Sequence, residues 1–198
     1  MTQRQSEPVR ADAQQNRARI LAEAVEAFTA SSTASLNAIA KKAGVGIGTL
    51  YRHFPTREAL VLEVYRHEVQ QLVDAAPALL AAKPPLEALR AWLDRAAHYG
   101  MTKAGLADAF SAVTTAHEGL AADTYGRVLG ALSLLLHANE QAGTIRAGLD
   151  PADVLLLMGF LWRIDPGGDW RSRSARLLDL LMDGLRAGAP APRVSVDG

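Results

Sequence analysis

The stretch that decides how this chain is read is GVGIGTLYRHFPTREAL, residues 44–60. Glycines stand at positions 44, 46 and 48, and Thr49, Tyr51, Arg52 and His53 follow before Pro55 and an apolar run. Glycine beside aromatic and basic groups suits two chemistries: a loop that cradles nucleotide phosphates, or a turn that presents a helix to DNA. A dinucleotide-binding loop needs its glycines directly after a buried strand, with a third glycine three positions beyond the second. Here a helical pattern precedes Gly44, and Thr49 stands three positions beyond Gly46. No Lys-Ser/Thr pair closes a Walker-type loop either. The nucleotide reading fails on context.

The flanking residues fit the other reading. Upstream, ADAQQNRARILAEAVEAFTA sets Ile20, Ala24 and Phe28, with Leu21 and Val25, on one stripe from about residue 11. The polar run SST at 31–33 ends that helix. Ser35 is placed to cap a short second helix whose Leu36, Ile39, Ala40 and Ala43 face inward. Gly44 closes it in a left-handed conformation that glycine adopts without steric cost. A third helix spans about 47–54 and stops before Pro55, because the residue preceding proline avoids helical dihedrals. Thr56 caps a long fourth helix from Arg57 to about residue 80, in which Pro77 marks a kink or an end.

A helix, a turn of about three residues and a short helix that starts with small residues form a helix-turn-helix. Small residues at the start let the backbone approach the major groove. Gly46 leaves free N–H groups for a phosphate, and Thr49 offers a hydroxyl or a methyl to a base edge. Tyr51 and His53 offer hydrogen bonds to phosphate oxygens, and Arg52 and Arg57 add charge. Leu50 and Phe54 lie on the opposite face and belong to the core.

Lys+Arg and Asp+Glu both total 21, so net charge points to no nucleic-acid partner. Its distribution does. Between Glu26 and Glu58 there is no acid, while Lys41, Lys42, Arg52, Arg57 and His53 fall inside that window. A solvated helix face is the alternative for the two lysines. Arg4 and Arg10, ahead of the first helix, are candidates for an arm reaching the backbone or minor groove. The absence of cysteine excludes disulfides, thiolate zinc sites and cysteine nucleophiles. The polar N-terminal segment carries no apolar signal, and the apolar run near 154–162 is far short of the roughly 20 residues a bilayer requires. A soluble, cytoplasmic protein is expected.

Beyond the linker AAKPP at 81–85, helical patterns span about 85–100, 102–113, 118–142, 151–164 and 170–188. The tail 189–198 reads as disordered. No run shows strand alternation, so the expected fold is all-α with about nine helices.

The run ILAEAVEAF…SLNAIAKKAGVGIGTLYRHFPTREALVLEVY resembles the DNA-binding region of the TetR family of transcriptional regulators over about residues 15–65. The stretch 155–188 is similar, more loosely, to C-terminal domains of that family. The resemblance implies a helix-turn-helix domain over 11–57, followed by a helical effector-binding and dimerisation domain over 58–188. It implies a homodimer reading a palindromic double-stranded DNA operator, most often as a repressor, released by a small-molecule effector. The family's DNA contacts fall on Asn37, Gly46, Ile47, Gly48, Thr49, Tyr51, Arg52, His53 and Arg57. The family often has serine where Gly46 stands, so a side-chain cap is missing here, and a polar or basic residue where Ile47 stands.

For the second domain the residues themselves speak less. Trp92, Tyr99, Phe110, Thr114, His117, Met158 and Trp162 are candidates to line an effector pocket, as apolar groups with a few polar anchors. Ordinary core packing is the alternative for each. The last two helices carry leucine on more than one face, which a shared four-helix interface would bury. Leu157, Leu161, Leu178, Leu181 and Leu185 are its candidate residues. The five histidines never pair at helical metal spacing, and no G-x-S-x-G elbow occurs, so no metal, cofactor or catalytic role is expected. A non-specific architectural DNA-binder and a small-molecule-processing enzyme are the rival readings.

Overall fold

Helix follows helix through the described residues because apolar residues recur at three- and four-residue intervals and polar caps punctuate them. The computed structural model describes residues 6–31, 33–165 and 168–189. Among them are nine α-helices and one 3₁₀ helix, and no strand, as the periodicity requires. The helices are α1 (Ser6–Ala30), α2 (Leu36–Lys42), α3 (Ile47–His53), α4 (Arg57–Ala82), α5 (Pro85–Gly105), α6 (Ala107–Ala116), α7 (Leu120–Gln141), α8 (Pro151–Leu157) and α9 (Trp170–Arg186). The 3₁₀ segment Met158–Arg163 follows α8 directly. No helix among the described residues is long and apolar enough to cross a membrane.

Several boundaries differ from the sequence reading, among them the sixth helix, which spans Ala107–Ala116, and the eighth, which gives way to the 3₁₀ segment after Leu157. First, α1 starts at Ser6, not near residue 11, since a proline at position 8 is compatible with a first helical turn. Pro77 does not end α4, which continues to Ala82. Ala75, Ala76 and Leu79 are buried around the exposed Pro77, and their burial outweighs the lost backbone hydrogen bond. Likewise, α5 runs through Gly100 to Gly105. Tyr99 and Met101 on either side are buried, and one glycine costs a helix only about 1 kcal/mol relative to alanine. Most of the predicted tail, and Arg4 of the predicted arm, lie outside the described residues; of Arg10 the backbone alone is described.

The chain divides into two compact units, Met1–Glu68 with Thr102–Glu118, and Val69–Met101 with Gly119–Gly198. Both α4 and α5 contribute residues to each. In the first unit, Ile20, Leu21, Ala24 and Phe28 of α1 are buried together with Ile39 and Ala40 of α2, Leu50 of α3 and Leu60, Val61 and Val64 of α4. Tyr65 meets Phe110 of α6 edge-on, ring centres 5.2 Å apart. Arg17 of α1 bridges to Glu63 of α4, which also accepts from Arg66 at 3.0 Å. In the second unit, the buried Trp92 donates its indole N–H to the Leu72 carbonyl at 2.8 Å. Arg90 of α5 holds Asp179 of α9 at 3.0 Å, and the buried Asn139 donates to the carbonyls of Pro85 and Leu135.

Candidate nucleic-acid interface

The α2–turn–α3 segment is fixed by backbone chemistry at each end. Ser35 Oγ accepts from the Ala38 N–H at 3.1 Å, capping α2 as its position predicts. At the other end Gly44 has φ of 66°, its N–H donates to the Lys41 carbonyl, and the Val45 N–H reaches the Ala40 carbonyl. This pair of bonds is a Schellman closure, and the positive φ is why glycine stands there. Gly46 begins α3 without a side-chain cap, as the missing serine implies; its carbonyl accepts from Thr49 and Leu50. At the far end Phe54 is the C-cap, Pro55 follows, and Thr56 Oγ1 accepts from the Ala59 N–H to start α4.

The orientation of α3 follows from its two anchors. Leu50 and Phe54 are buried in the first unit, so the opposite face is turned to solvent. That face carries Ile47 at 38% exposure and Tyr51 at 48%, with Gly48 and Arg52 also exposed. Thr49 and His53 are half-buried at its edge, and Asn37 is exposed at the start of α2. A Cβ built on Gly46 or Gly48 would meet nothing within 4 Å. Packing inside the chain therefore does not demand glycine at either position. What these glycines leave open is the outer surface of α3.

Arg52 lies along its own helix. Its Nη2 donates to Thr49 Oγ1 at 2.9 Å and its Nε to the Gly48 carbonyl at 3.3 Å. Arg57 is held differently: Nη1 donates to the Ala34 carbonyl at 2.7 Å, and the guanidinium lies over the Phe28 ring. The guanidinium of Arg57 thus has a structural role that the sequence reading did not contain. Two basic residues escaped that reading. Arg17 is placed over the Phe54 ring, 5.5 Å from its centre, and the exposed Arg19 brings Nη1 to 3.8 Å from where a Gly44 Cβ would stand. The only sequence signal for them is the NRAR run ahead of Ile20, outside the acid-free window.

The candidate pocket residues separate between the units. Phe110, Thr114 and His117 belong to the first; Trp92, Tyr99 and Met158 belong to the second. Phe110, Trp92, Tyr99 and Met158 are buried. Thr114 donates back to the Phe110 carbonyl at 2.8 Å, and His117 Nδ1 lies 2.9 Å from the Val113 carbonyl. The side chain of Trp162 lies outside those described. The candidate interface leucines separate by burial. Leu161, Leu178 and Leu185 are buried within the protomer, Leu181 is half-buried, and Leu157 is 62% exposed. Leu156 at 77% and Leu180 at 68% are exposed as well.

Residues 20–64 match the family described as bacterial regulatory proteins, tetR family, and residues 84–187 match the C-terminal domain described as transcriptional regulator SbtR-like. A TetR transcriptional regulator of Streptomyces coelicolor is 43% identical, with a TM-score of 0.80 over 88% of this chain and 99% of that one. The chain belongs to the TetR family of bacterial transcriptional regulators. A TetR regulatory protein of Mycobacterium vanbaalenii is 37% identical, with a TM-score of 0.73 over 90% of this chain and 99% of that one. The TetR-family regulator PfmR of Thermus thermophilus shares the fold at 23% identity, with a TM-score of 0.58 over 84% and 98% of the two chains. No functionally curated protein matches the chain. As a TetR-family member, the chain carries its helix-turn-helix in α2 and α3.

Proposed function

We propose that this TetR-family protein is a homodimeric one-component repressor. It binds a palindromic operator through α3 and is released by a small molecule bound in the helical region that follows. Residues 11–57 carry DNA binding, residues 58–188 carry effector binding and dimerisation, and the protein works in the cytoplasm. The observation that carries this reading is the outer face of α3. Gly46 and Gly48 are small without any internal packing reason, beside exposed Tyr51 and Arg52. Close approach of a DNA backbone supplies the missing reason. Ile47 lies on that face, Thr49 and His53 lie at its edge, and Asn37 is exposed at the start of α2.

Dimerisation is supported by the leucines that the protomer does not bury. Leu156 and Leu157 on α8 and Leu180 on α9 are exposed, and Leu177, Leu180, Leu181 and Gly184 form a second stripe at helical spacing. Effector binding then alters the separation of two recognition helices, and a coupling of about 1–3 kcal/mol changes operator affinity roughly 5–150-fold.

Selection of genomic fragments on the purified protein at about 150 mM salt tests the reading, because phosphate attraction alone is weak there. Enrichment of an inverted repeat is the expected result. Binding without sequence preference, falling steeply with salt, would make the protein an architectural DNA-binder instead.

A further inference from the structure

Threonine hydroxyls inside helices commonly turn back on the backbone, as those of Thr29 and Thr114 do. Thr29 Oγ1 donates to the Val25 carbonyl at 2.7 Å, and Thr114 Oγ1 to the Phe110 carbonyl at 2.8 Å. Thr49 behaves differently, because Arg52 Nη2 donates to its Oγ1 at 2.9 Å. A guanidinium has five donors and no acceptor, so the direction of this bond is unambiguous. Arg52 is itself held in place by the Nε bond to the Gly48 carbonyl at 3.3 Å. The cation occupies one lone pair of the hydroxyl and polarises it, which makes the Thr49 O–H a stronger donor and its oxygen a poorer acceptor.

We propose that Arg52 sets the hydrogen-bond polarity of Thr49, so that the pair reads a base edge offering an acceptor and rejects one offering only a donor. In the major groove, guanine presents N7 and O6, adenine N7 and thymine O4, whereas cytosine presents its N4 amino group alone. Guanine and thymine are therefore favoured opposite Thr49. Adenine is intermediate because its N6 amino group flanks N7, and cytosine is excluded. Arg52 is a positioning residue in this scheme; its role goes beyond the charge it adds toward the phosphates. The inference rests on operator binding through α3.

The test is sequence selection from a randomised inverted-repeat library with four proteins: the unchanged chain, Thr49→Val, Arg52→Gln and Arg52→Lys. Thr49→Val identifies the base position that depends on the hydroxyl. At that position the unchanged protein disfavours cytosine roughly tenfold, the scale of a single mismatched pair. Arg52→Gln, whose amide both donates and accepts, admits cytosine there, and Arg52→Lys, a donor only, preserves the exclusion. The proposal is overturned if Arg52→Gln weakens all sequences alike while base frequencies at the Thr49 position stay fixed. It is equally overturned if Arg52→Gln changes a different position, which would make Arg52 a base reader in its own right, or if Thr49→Val changes none. An unchanged protein that enriches no repeat at all overturns operator binding along with it, so the two failures are told apart.

Discussion

The guanidinium of Arg57 lies 4.8 Å from the centre of the Phe28 ring, over its face. The same group donates to the Ala34 carbonyl in the segment between α1 and α2. Three parts of the first unit are thereby joined by one side chain: the end of α1, the connection into α2 and the first residue of α4. The residue that family resemblance assigns to phosphate contact is also part of the framework that holds the helix-turn-helix.

Replacing Arg57 by alanine removes the ring contact and a charge-assisted bond, and is expected to destabilise the protein by about 2 kcal/mol. Arg57→Lys retains a charge but not the planar stacking, and falls between the two. Urea denaturation monitored by circular dichroism measures both. If alanine leaves the midpoint unchanged, Arg57 is a surface cation and its framework role is wrong.

Gly48→Ala separates folding from DNA binding. Gly48 sits inside α3 without a positive φ, and an added Cβ would meet nothing within 4 Å. Alanine at a helix interior is preferred over glycine by up to about 1 kcal/mol, so the variant should be more stable than the parent. The added methyl nevertheless projects from the face assigned to the major groove, and operator affinity should fall. Thermal melts and a fluorescence-anisotropy titration on one operator read the two effects. A variant that is both more stable and equally tight in binding would remove Gly48 from the interface.

Local signals in the sequence were the most legible. Ser35, Gly44, Pro55 and Thr56 act through bonds or steric limits within a few residues of themselves, and each stands in the structure where those limits place it. Burial by distant elements was not legible. Gly100 and Pro77 look like breakers, yet buried neighbours on both sides carry the helices through them. The leucines of α8, the 3₁₀ segment and α9 show why a candidate interface is harder. With apolar residues on two faces, the 3.6-residue period alone does not say which face the protomer buries. It buries Leu161, Leu178 and Leu185, and leaves Leu156 and Leu180 outside. Arg17 was missed because its partner Glu63 is 46 positions away, beyond any local pattern.

Those two leucine faces predict opposite phenotypes. Leu180→Asp places a charge on an exposed position of α9 and should convert the proposed dimer to a folded monomer in sedimentation velocity. Leu178→Ala removes a fully buried side chain two positions earlier and should destabilise the protein by about 2–5 kcal/mol. A dimer that survives Leu180→Asp, and also Leu156→Asp, would place the contact elsewhere.

Glu68 on α4 is half-buried, and burial pushes its carboxyl above the ordinary glutamate range. The sign of its effect on stability follows from proton counting. Between the ordinary value, about 4.3, and the raised folded-state value, the folded protein holds a proton that the unfolded chain has released. Stability therefore falls as pH rises through that interval, and above it the cost of the buried carboxylate is fully present. Glu68→Gln removes the charge without changing the shape. Its melting temperature should exceed that of the parent at pH 7, and the gap should close as pH drops below the ordinary glutamate value. Parallel melts from pH 4 to 8 decide it. A gap that is absent at neutral pH, or that widens on acidification, would mean that the folded protein stabilises the charged form of Glu68.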